Sequence, residues 1–172
     1  MRKILIDKEM KDPKHCSYGF PWRHDGNCYN FRAPDECVIA DEISGIKDFD
    51  EIENLVIGCD LDDYGFISEM VNLRQLYIYS GENINDIEFI RPLTKLNHFY
   101  IYESHINSLD PLIALMLEQK RLLSLEKDIN KRLFMTLEAV AINSDKELDG
   151  SVLKEPGYYA SEIIVNRKAY RH

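Results

Sequence analysis

The sequence lacks any long apolar run. No stretch approaches the roughly 18 apolar residues that suggest a membrane-spanning helix. The segment Met1–Asp7 has a basic start but an apolar stretch of only three residues, whereas the core of a secretory signal peptide needs about seven or more. Both absences exclude the membrane-spanning and secreted classes, so we expect a soluble cytoplasmic protein.

Cysteine is scarce and follows no metal-binding motif. The four cysteines, Cys16, Cys28, Cys37 and Cys59, form no C-x-x-C pair. Structural zinc sites use paired short loops, and the spacing of Cys16, His24 and Cys28 departs from that pattern. We therefore predict no metal site and expect free thiols, because disulfides belong mainly to secreted proteins.

Catalytic signatures are also missing. The sequence contains no G-x-S-x-G, P-loop, G-x-G-x-x-G or H-E-x-x-H motif. Asp60-Leu-Asp-Asp-Tyr-Gly65 begins like a calcium-binding loop, but the twelfth position is Val71 instead of glutamate, which favours a solvated turn. We predict that the protein is not an enzyme and uses no cofactor.

The composition is that of an ordinary globular domain, with 45% hydrophobic and 30% charged residues in a chain of 172. The acidity is concentrated in residues 36–112, which hold sixteen Asp/Glu against four Lys/Arg and so carry a net charge of −12. Such a surface repels nucleic acid and attracts a basic partner, although the same charge also serves solubility.

An internal repeat occupies the middle of the chain. Asn72-Leu-Arg-Gln-Leu-Tyr-Ile-Tyr79 aligns with Lys95-Leu-Asn-His-Phe-Tyr-Ile-Tyr102 at an offset of 23 residues. Each repeat has apolar residues at i and i+2, which predicts a short strand with one buried face. The preceding apolar residues fall at every third position, which favours a 3-10-like turn. The predicted strand pairs are Cys37/Ile39, Leu55/Ile57, Leu76/Ile78 and Phe99/Ile101.

These repeats resemble the leucine-rich repeats of the short bacterial type, as in internalins and phosphatase-regulator proteins. Residues 96–112 follow the pattern L-x-x-L-x-L-x-x-N-x-I-x-x-[IL]-x-P-L, and residues 87–93 match its second half. The asparagine position holds Asp60 in the first repeat and Ser104 in the last, and the middle repeat has one extra residue within Ser80–Asn83. The resemblance covers residues 36–115. It implies an α/β solenoid of three to four coils, with short parallel strands on the concave face.

The strand residues that flank the buried pairs would line this concave face, because side chains alternate along a strand. Tyrosine offers a large rigid ring with a polar tip and is frequent at protein-binding hot spots. It is also a good strand former that pairs across strands, and neighbouring segments can cover such rings, so a purely structural role stays open. The candidate binding residues are Tyr77, Tyr79, Tyr100 and Tyr102, with Gln75, His98 and Glu103 at their rim.

The flanking segments are expected to cover the ends of the solenoid. Residues 1–35 alternate aromatic and turn residues, which favours an N-terminal cap that forms either a hairpin or an irregular structure around Asp25-Gly26-Asn27. Residues 111–134 read as a helix with Asp110 as N-cap, Pro111 at its start and a possible break near Ser124. Residues 137–143 and 162–166 suit two strands that pair with each other, within a C-terminal extension over 116–172. The alternative for residues 125–142 is one long helix.

We therefore predict a non-enzymatic module that binds a protein or peptide, in particular a basic partner, through the tyrosine face. A bacterial immunity protein that neutralises a basic toxin is one specific version of this hypothesis. Two alternatives remain open. One is an enzyme whose site lies between the repeats and the C-terminal extension, and the other is a module that self-assembles through the tyrosines. The sequence predicts neither nucleic acid nor a membrane as a partner, and it leaves the oligomeric state undecided.

Overall fold

A computed structural model describes residues 2–10, 12, 17–19, 30–32, 34–128, 136–154 and 162–170. These residues form an α/β fold with an eight-stranded, mostly parallel sheet and few helices. The one α-helix among them is α1 (Asp110–Leu125). The strands are β1 (Arg2–Asp7), β2 (Ser17–Gly19), β3 (Asn30–Arg32), β4 (Glu36–Ile39), β5 (Ile52–Ile57), β6 (Gln75–Ile78), β7 (His98–Ser104), β8 (Ala139–Ser144), β9 (Glu162–Val165) and β10 (Lys168–Tyr170).

The strand order in the large sheet is β4-β1-β5-β6-β7-β8-β9-β10. All neighbouring pairs are parallel except β9 and β10, which form an antiparallel pair. The predicted strands at residues 137–143 and 162–166 are confirmed as β8 and β9, and they do pair with each other. Strands β2 and β3 form a separate antiparallel pair, as a hairpin would, while Asp25-Gly26-Asn27 lies outside the described residues.

The repeat places its apolar pairs at the same level in neighbouring strands. Leu55 is aligned with Leu76 and then with Phe99, and the second members of the pairs, Ile57, Ile78 and Ile101, align in the same way. All six are at most 1% exposed. The predicted 3-10 turns are present at Gly65–Glu69 and Glu88–Ile90, where they bring Ile67 and Ile90 into the same core. The offset of 23 residues is therefore one strand step of the sheet.

The prediction for Cys37 and Ile39 is wrong. β4 does not lie beside β5, because β1 is inserted between them and pairs in parallel with both. Val38 faces Ile6 and enters the main core, whereas Cys37 packs on the opposite face. The predicted register is shifted by one residue, and in a strand such a shift exchanges the two faces.

The helix that follows the repeat is shorter than predicted. α1 ends at Leu125, close to the break expected near Ser124, because Glu126 is extended (φ −75°, ψ 124°). Pro111 lies in the first turn as predicted. Asp110 is the first helical residue and not the N-cap, and its N–H donates to Ser108 Oγ at 3.0 Å. Helix followed by strand, and not one long helix, is thus the correct alternative for residues 125–142, of which 129–135 are outside the described residues.

A buried glutamine joins α1 to the sheet. Gln119 is fully buried, and its amide nitrogen donates to the carbonyl oxygens of Thr94 and Leu96 at 3.1 and 2.9 Å. Its amide oxygen accepts a hydrogen bond from the Leu137 N–H at 3.1 Å. One side chain therefore binds the last repeat turn, the helix and the start of the segment that leads into β8. No helix among the described residues is long and apolar enough to cross a membrane.

Polar side chains link the turns at the carboxyl ends of the strands. Asp60 Oδ1 accepts hydrogen bonds from the Tyr64 hydroxyl at 3.0 Å and from the Asn83 N–H at 3.1 Å. Ser104 Oγ donates to the Asn143 carbonyl at 2.8 Å. Ser144 Oγ donates to the Ile106 carbonyl at 2.7 Å. Burial raises the pKa of the Tyr64 phenol, so it stays a neutral partner in this network.

Candidate binding face

The strand register places the predicted site residues in rows across the sheet. Asn54, Gln75 and His98 are aligned in one row, and Val56, Tyr77 and Tyr100 are aligned in the next. Because side chains alternate along each strand, these rows lie on the face opposite the main core. Leu5, Ala141 and Ile164 extend the second row on both sides, which makes it an apolar row crossing six strands.

The middle of this face is buried. Tyr77 is 3% exposed and Tyr100 is 5% exposed, and their rings stack with centroids 5.1 Å apart and 5° between the planes. His98 is also buried, and its ring is nearly parallel to that of Tyr100 at 6.4 Å. These three predicted site residues therefore pack inside the folded chain, as the structural interpretation of the tyrosines also requires.

The margins of the face are more accessible. Gln75 is half-buried at the amino-terminal end of β6. Tyr79 and Tyr102 are half-buried beyond the stacked tyrosines, at the carboxyl ends of β6 and β7, where both pack against the apolar row. Glu103 follows Tyr102 and is exposed. The structure thus brings all seven predicted residues to one region of the sheet but divides them into a buried centre and a partly accessible edge.

The backbone at this edge is irregular. The pairing of β7 with β8 shifts between Ile101 and Ser104, and Glu103 has a left-handed backbone with φ 53°. The Gly81 N–H bonds to the carbonyl oxygens of both Tyr102 and Glu103, at 3.1 and 3.0 Å. A Cβ at Gly81 would lie 3.2 Å from the Glu103 carbonyl, so the close approach favours glycine. Such bulges redirect side chains and are frequent beside functional sites.

Asp7 is a residue of this region that sequence reasoning missed. It ends β1 on the same face as Leu5, and it is 8% exposed. Its Oδ1 accepts a hydrogen bond from the Lys8 N–H at 2.7 Å. Its position two residues after Leu5 would place Asp7 on the same face, but only if residues 2–7 are known to form a strand of this sheet.

The face offers ring stacking at its centre and hydrogen bonding and ion pairing at both ends of the strands, and the pair of His98 with Glu138 lies at the amino-terminal end. Glu138 Oε2 lies 3.8 Å from His98 Nε2, and the glutamate is about half exposed. The described residues contain no group of three or more His, Cys, Asp or Glu side chains that could hold a metal ion. Cys16, His24 and Cys28 lie outside the described residues, whereas Cys37 is half-buried and Cys59 is buried. The calcium-like segment is a turn in which Asp63 Oδ1 accepts a hydrogen bond from the Gly65 N–H at 2.8 Å.

A second surface lies at the amino-terminal ends of the strands. There a groove of about 600 Å³ is lined by charged side chains of both signs, including Arg2, Asp50, Glu53 and Arg74. Arg74 is 3.2 Å from Glu53, and Lys95 is hydrogen-bonded to Asn72. Each pair joins residues that are one repeat apart, 21 and 23 residues respectively, and so ties one repeat unit to the next.

Comparison with protein families, curated proteins and solved structures finds no match for this chain. The resemblance to leucine-rich repeats therefore rests on the sequence residues quoted above.

Proposed function

We propose that this protein is a binding module of the leucine-rich-repeat type, in which stacked coils present a protein or peptide site at the carboxyl ends of β6 and β7. The support for the repeat architecture is the alignment of Leu55, Leu76 and Phe99 in neighbouring parallel strands, of which the first two are each followed by a 3-10 turn. Repeats of this kind use their sheet face for recognition more often than for chemistry.

The observation that carries the proposal is the edge formed by Tyr79, Tyr102 and Glu103. Two half-buried aromatic rings stand on neighbouring strands, and a bulge in a strained backbone conformation places an exposed carboxylate beside them. Aromatic rings supply contact area at low conformational cost, and an adjacent carboxylate can pair with Lys or Arg of a partner. Parallel sheets also tend to bind their ligands at the carboxyl ends of the strands.

The proposed partner is a basic protein or peptide. Residues 36–112, which contain this edge, carry sixteen acidic and four basic side chains, and such a surface accelerates encounter with a positively charged partner. Neutralisation of a basic toxin by an immunity protein is the specific version of this proposal. In every version, the stacked pair Tyr77 and Tyr100 supports the site from within, and Tyr79 and Tyr102 make the contact.

The experiment compares the wild type with Tyr79→Ala/Tyr102→Ala and with the conservative pair Tyr79→Phe/Tyr102→Phe. Each bait is used for affinity capture from the native cell extract, and any basic protein found is purified and titrated by calorimetry. We expect the alanine pair to lower the affinity by about 100-fold or more, because two hot-spot rings are lost. The phenylalanine pair keeps both rings and should retain most of the wild-type affinity. Equal affinity of all three baits for the same partner would refute the proposal. If light scattering gives a mass above that of the monomer for the wild type but not for the alanine pair, the tyrosines mediate self-assembly instead.

A further inference from the structure

The large sheet has an open edge along β4. Within the described part of the chain, no strand pairs with the outer side of β4. The Asp35 N–H donates to the Lys3 carbonyl at 2.9 Å, and backbone direction alternates along a strand. Asp35, Cys37 and Ile39 therefore direct their backbone groups toward β1, while Glu36 and Val38 direct theirs outward. Outward N–H and C=O groups at a sheet edge are a template for one more strand.

A groove of about 540 Å³ is formed by β4 and the 3-10 turn Ala40–Gly45 that follows it. Apolar side chains line part of it. Val38 and Ile46 are buried in its wall, whereas Met10 is 67% exposed beside them. The groove thus offers apolar contacts directly beside the outward backbone groups of β4, as a site for an extended peptide requires.

The charge of the groove selects between possible occupants. Glu36, Asp41 and Glu42 line it, and no Lys or Arg among the described residues does so. Glu36 is paired with Arg2 at 2.7 Å, but Asp41 and Glu42 are exposed. A second copy of this chain would bring the same carboxylates against them, and like charges across a strand pair are destabilising. A segment that carries Lys or Arg would instead complement them.

We propose that β4 binds an extended, basic segment of a partner protein by strand addition. Main-chain hydrogen bonds to Glu36 and Val38 hold the added strand, and its Lys or Arg side chains pair with Asp41 and Glu42. This goes beyond the function proposed for Tyr79 and Tyr102, because β1 and β5 separate β4 from β6 in the sheet. The two surfaces can therefore be tested separately.

The probe is a synthetic ten-residue peptide of alternating lysine and valine, and the same peptide with glutamate in place of lysine is the control. Binding to the full chain is followed by calorimetry, and amide hydrogen exchange is measured at Glu36 and Val38 by nuclear magnetic resonance. We expect the basic peptide to bind and to slow exchange at both amides, and the acidic peptide to do neither. No binding of the basic peptide, or binding without protection at Glu36 and Val38, would overturn the proposal.

Two sets of variants separate the groove from general charge attraction. A Cβ at Gly45 meets no atom within 4 Å, so this groove residue has room for a side chain, and Gly45→Trp adds a large ring at the groove. We expect this variant to lower the affinity for the basic peptide by about tenfold or more, and we expect the same of Asp41→Asn/Glu42→Gln tested separately. The matched pair Asp62→Asn/Asp63→Asn removes the same charge outside the groove and should leave the affinity within about twofold, because exposed single charges contribute little.

In Tyr79→Ala/Tyr102→Ala the peptide should still protect the Glu36 and Val38 amides as it does in the wild type, whatever it does at the tyrosine edge, which makes failure here distinguishable from failure of the proposed function. Equal weakening by the groove pair and by the Asp62/Asp63 pair would show attraction to net charge alone and would overturn the proposal. Protection of the Val38 amide that grows with protein concentration in the absence of peptide, together with a dimer mass by light scattering, would assign the edge to a second copy and would also overturn it.

Discussion

The Tyr77 ring stacks on the Tyr100 ring at 5.1 Å, and both rings are buried. The strands that carry them are neighbours, and the two residues are aligned in the register. The stack is therefore a cross-strand pair, and it is also part of the apolar row on the face opposite the main core. This relationship separates two roles within the four tyrosines: the inner pair stabilises the sheet, and the outer pair, Tyr79 and Tyr102, remains partly accessible.

Loss of an inner tyrosine should be far more costly than loss of an outer one. We expect Tyr100→Ala to lower the free energy of unfolding by about 3–5 kcal/mol, as large-to-small changes of buried aromatic residues do. Tyr102→Ala should cost about 1 kcal/mol, because its ring is only half-buried. Urea denaturation followed by circular dichroism measures both values. Equal costs for the two substitutions would contradict the division into inner and outer pairs.

The backbone of Glu103 should show a conflict between stability and binding. A residue other than glycine in the left-handed conformation is strained by about 1 kcal/mol, so Glu103→Gly should stabilise the fold by up to that amount. The same variant removes the exposed carboxylate and should lower the affinity for a basic partner. Denaturation midpoints and calorimetric affinities are measured on Glu103→Gly and on Glu103→Gln, which loses the charge but keeps the strain. A stabilised variant with undiminished affinity would remove Glu103 from the site.

The repeat was the part of the fold that sequence could predict. Positions i and i+2 with an offset of 23 residues identify the strands and turns, because each repeat unit must bury the same side chains against the strands beside it. The columns of Gln75 with His98 and of Tyr77 with Tyr100 follow from that periodicity alone. The burial of Tyr77 and Tyr100 does not, because it depends on tertiary packing that no local pattern contains.

The inserted strand β1 escaped prediction for a physical reason. Ile4, Leu5 and Ile6 are all completely buried, so β1 has no alternation of apolar and polar residues to indicate a strand. It also has no counterpart at the repeat offset. Without β1, the sequence pattern places Cys37 and Ile39 in the series of Leu55 and Ile57, and the one-residue error in register follows from that.

Gln119 should be among the least replaceable polar residues of the chain. Gln119→Leu keeps the approximate volume but leaves the Leu137 N–H and the Leu96 carbonyl without their partner. Each unsatisfied buried group costs about 1–3 kcal/mol, so we expect a loss of about 2–4 kcal/mol in the free energy of unfolding. Leu117→Gln, on the exposed side of the same helix, should change it by less than about 0.5 kcal/mol. A small effect of Gln119→Leu would mean that water replaces these hydrogen bonds.

The contact between His105 and Asp145 should make stability depend on acid pH. His105 Nδ1 lies 2.9 Å from Asp145 Oδ2, and this hydrogen bond lowers the pKa of the Asp145 carboxyl, with a smaller contribution from Lys146. Because the folded pKa is below the unfolded one, the stabilisation is present above the ordinary carboxyl range of about 4 and is lost as the pH falls through the folded pKa.

His105→Ala should therefore raise the pKa of Asp145 toward its ordinary value, and the stability difference from the wild type should disappear in acid. Carboxyl chemical shifts, followed during an acid titration, measure the pKa, and denaturation at several pH values measures the difference. Asp149 is the internal control, because Ser151 lowers its pKa independently of His105. An unchanged Asp145 titration in His105→Ala would show that the contact does not persist in solution.

Two glycines should respond in opposite ways to the same substitution. A Cβ at Gly150 would lie 2.6 Å from the Tyr170 ring and 2.8 Å from the Val165 side chain, so Gly150→Ala must shift these two side chains, which β10 and β9 carry. We expect a loss of about 1–3 kcal/mol in the free energy of unfolding, as overpacking gives. A Cβ at Gly45 meets no atom within 4 Å, and Gly45→Ala should stabilise by about 0.4–1 kcal/mol through the unfolded chain. Urea denaturation measures the free energy of unfolding of both variants. If Gly150→Ala leaves it unchanged, Tyr170 moves aside, and its contact with this turn does not hold β10 in place.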